Sequence, residues 1–275
     1  MNPWLETIGV IMVALSGIFI GRIFSSFRKS WWLLGYFFPF LLIGMLVLIR
    51  FCDALAFIGP FYWVAAGRAR FVILALAVTM GLTTPFSRLP RRCEKVLVCF
   101  LIVMVVFWFS VFPFLGPALI KNDLASIKTT LSSEGICFQS RDYTCGPAAA
   151  VTALGKLGLQ AHEGELAILS RTSPFTGTVP GCLSAALESR YGPDGLNCRY
   201  RRFDSVAQLR DAPITLAIVR DVFLLDHCVA IIEVSDRMVT IADPVLGKMM
   251  MSHKQFAKIW RFSGIVLKRD FADSI

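Results

Sequence analysis

Gly135-Ile-Cys-Phe-Gln139-Ser-Arg-Asp142-Tyr-Thr144-Cys145-Gly-Pro147-Ala-Ala-Ala150 is the stretch on which the reading of this chain turns. Asp142 or Thr144 suits a helix N-cap, and Pro147 suits the first turn that follows. The helix is expected to continue from 148 to about 157. Its run of three alanines permits close packing against neighbours. Cys145 then stands at the N-terminal end of a helix, beside backbone N–H groups that have no intrahelical partner. Such a setting favours the nucleophilic thiolate.

Downstream, 163–169 and 179–191 read as helices, the second ending before Gly192-Pro193. The pattern then changes to short strands at 198–201, 214–219, 227–234, 238–241, 247–251 and 264–267. A helical turn at 205–210 and a helix at 252–260, capped by Ser252, interrupt them. Helices first and turn-bounded strands afterwards predict an α+β domain with an antiparallel sheet.

Ser235-Asp236-Arg237 is a hairpin-sized turn joining two of these strands. It brings His227, at the start of one strand, near Asp243, just past the end of the next. Asp243 can then orient the imidazole, and the imidazole can take the proton of Cys145. Gln139, six residues before Cys145, can pair its amide with the Cys145 backbone N–H to hold an oxyanion. Taken singly, each of these residues reads as a core thiol, a strand-end histidine, a turn former or a surface amide. Their joint placement points to acyl transfer through a thiolate. Asp226 is expected on the other strand face. His162 reads as a loop or cap residue, and His253 as a rim residue at the start of the last helix.

The chain has 275 residues, 56% of them apolar and 17% charged, with a mean hydropathy of +0.64. That balance fits neither a soluble globular protein nor a disordered one. Residues 1–120 hold 10 Lys and Arg against 3 Asp and Glu, and five of the six Trp. All three His come later. The chain therefore divides into a membrane domain over 1–120 and a water-soluble domain over 134–268, joined by a polar connector near 121–133. Four apolar runs, 8–24, 31–49, 71–86 and 96–115, approach the roughly 20 residues that a spanning helix needs. The stretch 52–66, interrupted by Asp53 and Gly59-Pro60, either lies at the interface or forms an extra span. With four spans, one side receives Arg22, Arg28, Lys29, Arg88, Arg91, Arg92 and Lys95, and the other Arg50, Arg68 and Arg70. The positive-inside bias then sets both termini, and the soluble domain, on the outer side. The lipid bilayer is the expected surroundings of this half. The formal charge of +9 sits largely between apolar runs, so nucleic acid is not expected as a partner.

Eight cysteines lie at 52, 93, 99, 137, 145, 182, 198 and 228. None forms a C-x-x-C pair, and none has metal-ligand spacing with the histidines, so neither metal nor cofactor is expected. Five fall in the soluble domain, which leaves at least one unpaired. A Cys182–Cys198 bridge is one open pairing.

The segment Gln139-Ser-Arg-Asp-Tyr-Thr-Cys145-Gly-Pro-Ala-Ala resembles the active-site segment of the double-glycine leader peptidases, papain-like cysteine peptidases that process bacteriocin precursors. The segment His227-Cys-Val-Ala-Ile-Ile looks like that family's histidine strand. Ala242-Asp243-Pro244 with Gly247 looks like its Asp-Pro turn, and the Phe256–Trp260 helix is also similar. The resemblance spans about 134–268. It implies a papain-like fold, with Cys145 as nucleophile, His227 as base, Asp243 as orienting residue and Gln139 as oxyanion donor. It also implies cleavage of a peptide or protein precursor after a Gly-Gly leader. Those exporters carry the domain ahead of their spans, whereas here the spans come first. No GxxxxGK[ST] segment occurs, so any ATP-driven export needs separate machinery. The expectation is a membrane-anchored cysteine peptidase of a bacterial inner membrane, its peptidase domain on the periplasmic or outer side. The alternatives are a non-catalytic papain-like binding or sensor module, and a related amidase or acyltransferase.

Overall fold

The computed structural model describes residues 2–52, 54–59, 61–221 and 225–270. The chain divides into two compact units, Met1–Leu119 and Ile120–Ile275. Asp53 and Pro60 lie outside the described residues.

The first unit is helical: α1 Pro3–Ser25, α2 Leu34–Phe51, α3 Phe61–Ala66, α4 Ala69–Thr83, α5 Arg92–Val106 and α6 Phe112–Leu119. Asn2 caps α1, its side chain accepting from the Trp4 N–H at 3.0 Å, with Pro3 in the first turn. Short 3-10 turns and a π-turn extend these helices. The result is four continuous stretches long and apolar enough to cross a membrane: Pro3–Ser25, Lys29–Phe51, Ala69–Arg88 and Arg92–Leu119. Each contains one of the four apolar runs. Among the described residues of 52–66 are a 3-10 turn, Leu55–Phe57, and the six-residue α3, each shorter than a span.

Helices in lipid gain nothing from hiding apolar surface from each other, so small residues and hydrogen bonds decide which faces meet. Gly17 and Gly21 of α1 lie against α4. A Cβ at Gly17 would sit 2.7 Å from the Leu76 carbonyl oxygen, and one at Gly21 3.0 Å from Thr83 Cβ. The buried Thr79 hydroxyl lies 2.6 Å from the Ala75 carbonyl oxygen in its own helix and 3.1 Å from that of Ala14 across the interface. At one end of the bundle Ser25 and Ser87 exchange hydrogen bonds. At the other, Arg68 donates to Glu6 at 2.9 Å and to the Pro113 carbonyl at 3.1 Å, and stacks on the Phe114 ring. Both charged side chains are only 10% exposed. A buried charge persists only when paired, so Arg68 locks three separate pieces of chain together.

The second unit is α+β. It opens with α7 Lys121–Ala125 and a two-stranded antiparallel ladder, β1 Thr130–Leu131 with β2 Cys137–Phe138. The polar connector is thus more ordered than its composition suggests. Leu124 of α7 is fully buried, and Gly164 lets its carbonyl approach. Three helices follow, α8 Cys145–Lys156, α9 Glu163–Leu169 and α10 Pro180–Tyr191. Then come β3 Leu196–Arg202, β4 Ile214–Arg220, β5 Asp226–Val234, β6 Met238–Asp243 and β7 Gly247–Ser252. The last described elements are α11 His253–Ile259 and β8 Trp260–Arg269. The six strands from β3 onward form an antiparallel sheet ordered β3-β8-β4-β5-β6-β7.

Ala148, Ala149, Ala150 and Leu154 of α8 pack with Leu216, Cys228, Ala230 and Ala242 of the sheet in one core. Alternate strand residues, among them Val229, Ile231 and Ile241, build a second core with Phe256 and Trp260. Ser252 caps α11 reciprocally with Gln255. The small alanine side chains of α8 bring the helix close to β5, which sets the distance between Cys145 and the start of that strand.

Gly21→Val forces a methyl group into the Thr83 contact and is expected to cost about 1–3 kcal/mol. A lower midpoint in thermal melts of the detergent-solubilised chain checks this. An unchanged midpoint would mean that the α1–α4 contact does not hold the bundle.

Candidate active site

Cys145 is the first residue of α8, and Thr144 occupies the cap position. The Thr144 hydroxyl does not cap. It accepts from the Arg141 N–H at 3.1 Å and lies 2.9 Å from the Arg141 carbonyl oxygen, which closes the loop before the helix. Thr144, one of the two expected caps with Asp142, therefore accepts no first-turn N–H of α8. Gly146 is required beside the thiol, since a Cβ there would come within 2.9 Å of Thr178.

His227 Nε2 lies 3.1 Å from Asp243 Oδ1. The same oxygen accepts the backbone N–H groups of Val245 at 2.7 Å and Leu246 at 3.1 Å. Asp243 thus forms the turn after β6 and meets the imidazole as well. The register explains the meeting. Ala230 pairs with Ala242, which places Asp243 opposite Val229 and on the strand face of His227, two residues away. Near the hairpin turn, however, Val234 pairs with Val239 and Glu233 with Thr240. One extra residue in β5, at Ile232, separates the two registers. Without this bulge Asp243 would stand opposite Ala230, on the face of Cys228. Sequence reading missed it, because no Gly or Pro marks the site.

Cys145 is near enough to His227 to act on the ring electrostatically. Burial lowers the pKa of His227, but the hydrogen bond to Asp243 and the interaction with Cys145, together with their charges, outweigh it and raise the value to about 10. Burial raises the pKa of Asp243, while the bonds from His227, Val245 and Leu246 and the imidazolium charge lower it below its ordinary 3.8 overall. The pair is therefore imidazolium and carboxylate across the neutral range. Cys228, beside His227 and fully inside the core, is pushed well above its ordinary value by burial, then by Cys145 and Asp243, and stays a thiol.

Gln139 directly follows β2. Its backbone N–H donates to the Pro244 carbonyl at 2.9 Å, which ties it to the turn carrying Asp243. Its side-chain Oε1 is buried with no hydrogen-bond partner among the described residues. Sequence reading also missed Glu163 and Ser140, whose contact holds the neighbouring peptide unit.

The remaining candidates lie elsewhere. Asp226 pairs with Arg261 at 3.0 Å rather than with the histidine. His253 is not at the site rim. Its Nε2 meets the Ser235 carbonyl at 3.0 Å, at the hairpin-turn end of the sheet and so opposite to His227. His162 is the residue before α9 and caps nothing with its side chain. Cys182 and Cys198 are both free thiols. Among the described residues no cluster of His, Cys, Asp and Glu fits a metal ion.

The model of the Peptidase C39 family matches residues 133–272. An uncharacterized protein of Methanothermobacter marburgensis is 32% identical over 148 residues, 54% of this chain and 98% of its own length. One from Methanothermobacter thermautotrophicus is 34% identical over 143 residues, 52% and 94% of the two chains. Among solved structures, the peptidase domain of Streptococcus ComA, a bi-functional ABC transporter involved in quorum sensing, has a TM-score of 0.43 at 22% identity and covers 48% of this chain and 96% of its own. A double glycine motif protease from an AMS/PCAT transporter, in complex with the leader peptide, has a TM-score of 0.42 at 14% identity, covering 53% and 96%.

A histidine whose pKa is raised by folding stabilises the fold fully below its ordinary 6.5, and that contribution disappears as pH rises to about 10. The lowered carboxylate adds stability above 3.8 that is lost as pH falls. Asp243→Asn keeps the turn acceptor and removes the charge. The stability gap between wild type and this variant, from denaturant melts, should be flat between about pH 5 and 6 and shrink from about pH 7 to 10. A gap that widens with rising pH would contradict the ion pair.

Proposed function

The chain belongs to the Peptidase C39 family, and from that premise we propose that it hydrolyses a peptide bond through Cys145, His227, Asp243 and Gln139. A cysteine-peptidase-family domain on a multi-pass membrane anchor is the frame for this reading. The observation that carries it is the 3.1 Å His227–Asp243 contact with Cys145 near the same ring.

In this mechanism His227 Nε2 is held by Asp243, which leaves Nδ1 to face the sulfur. The imidazole holds the thiol proton, and the thiolate attacks the carbonyl carbon of the scissile bond. The oxyanion is met by the Cys145 backbone N–H and the Gln139 amide. His227 gives its proton to the leaving amine, and a thioester remains on Cys145. Water, deprotonated by the imidazole, then releases the acid. Asp243 keeps the imidazolium oriented and balanced in charge throughout. The substrate is a precursor peptide cut after Gly-Gly, in keeping with the resemblance carried by 139–149 and 227–232. The seven-to-three division of basic residues between the two sides of the bundle supports a peptidase domain on the outer face of the cytoplasmic membrane.

Cys145→Ala and His227→Ala should each lower cleavage of a Gly-Gly precursor by roughly 10³-fold or more while the fold persists. Undiminished processing by Cys145→Ala would sink the proposal. In intact cells, a membrane-impermeant maleimide should modify Cys145, read by peptide mass spectrometry. Modification by a permeant reagent alone would overturn the orientation.

A further inference from the structure

Glu163 is 0% exposed and forms no ion pair among the described residues. One carboxylate oxygen accepts the Ser140 backbone N–H at 2.8 Å, and the other accepts the Ser140 hydroxyl at 2.7 Å. The Lys128 carbonyl, at 3.3 Å, is the weaker claimant for that hydroxyl proton. Thr129 Oγ1 accepts the Glu163 N–H at 2.9 Å, which fixes the start of α9. A carboxylate buried without a cation is costly, and here its partners lie in the segment leading to Cys145.

The placement matters because Ser140 follows Gln139. The Gln139 N–H is fixed to Pro244 and the Ser140 N–H to Glu163, so the two bonds bracket the φ and ψ of Gln139. With both peptide planes held, the direction of the Gln139 Cα–Cβ bond is set. Only side-chain torsions remain free. We propose that Glu163 is a positioning residue that aims the Gln139 amide at the oxyanion, acting through Ser140. This rests on the catalytic reading above, and assigns a role to a buried acid that the mechanism does not otherwise use.

The full chain in detergent is tested with two probes. Acylation by p-nitrophenyl acetate, taken as the burst that Cys145→Ala abolishes, generates an oxyanion. Alkylation of Cys145 by iodoacetamide, read by mass spectrometry, does not. Glu163→Ala should slow acylation by about 10²-fold and leave alkylation within about twofold. Glu163→Gln, which can still accept the Ser140 N–H and donate to its hydroxyl, should recover most of the rate. Adding Glu163→Ala to Gln139→Ala should cause no further loss. Equal loss of both reactions, or multiplying losses in the double variant, would overturn the proposal in favour of a purely structural role. If Glu163→Ala does not fold, Glu163→Asp, whose shorter side chain withdraws the carboxylate from the Ser140 N–H, carries the test. It should slow acylation in the Gln139 background and do nothing in the Gln139→Ala background, and equal effects in both would overturn the proposal. Impairment by Gln139→Ala with silent Glu163 variants refutes the clamp alone. A silent Gln139→Ala refutes the oxyanion assignment beneath it.

Discussion

One carboxylate oxygen organises the candidate site. Asp243 Oδ1 receives the imidazole and two backbone N–H groups of the turn that follows. The turn holds the carboxylate, and the carboxylate holds the ring. Such an arrangement resolves a conflict common to buried acids. Desolvation opposes the charge, and convergent N–H donors restore it. The charge, together with Cys145, then keeps the histidine protonated against its own burial, so the acid that orients the ring also helps to charge it.

The order of elements in the second unit was legible from sequence because its signals are local. Ser252 with Gln255, Pro180 in the first turn of α10 and the apolar run of β4 each mark an element by capping chemistry or side-chain branching. The approach of His227 to Asp243 was legible for a similar reason, since a three-residue turn leaves adjacent strands few arrangements. What stayed hidden depends on contacts far apart in sequence. The bulge at Ile232 leaves no compositional mark. The ordering of 121–131 rests on Leu124 and on a glycine some 40 residues away. The Ser140–Glu163 clamp joins two residues that look like ordinary surface positions in a linear reading.

The membrane unit shows the same division. Hydropathy identifies four membrane-length helices, because length and apolarity are all that a span requires. Which helices touch is set instead by Gly17, Gly21 and Thr79, and by the burial of Arg68 with Glu6. Arg68 read alone is a loop cation. Its true setting emerges only when α1, the start of α4 and α6 meet around it.

The bulge in β5 also limits how this hairpin can change in length. A strand alternates its side chains with a period of two, so parity, more than length, decides which residue meets the acid. Losing or gaining one residue between His227 and Asp243 swaps the imidazole for a neighbour on the opposite face. A change of two, one residue in each strand, preserves the partnership and merely lengthens or shortens the ribbon. The hairpin therefore behaves as an odd–even counter, and natural length variation along it should come in steps of two.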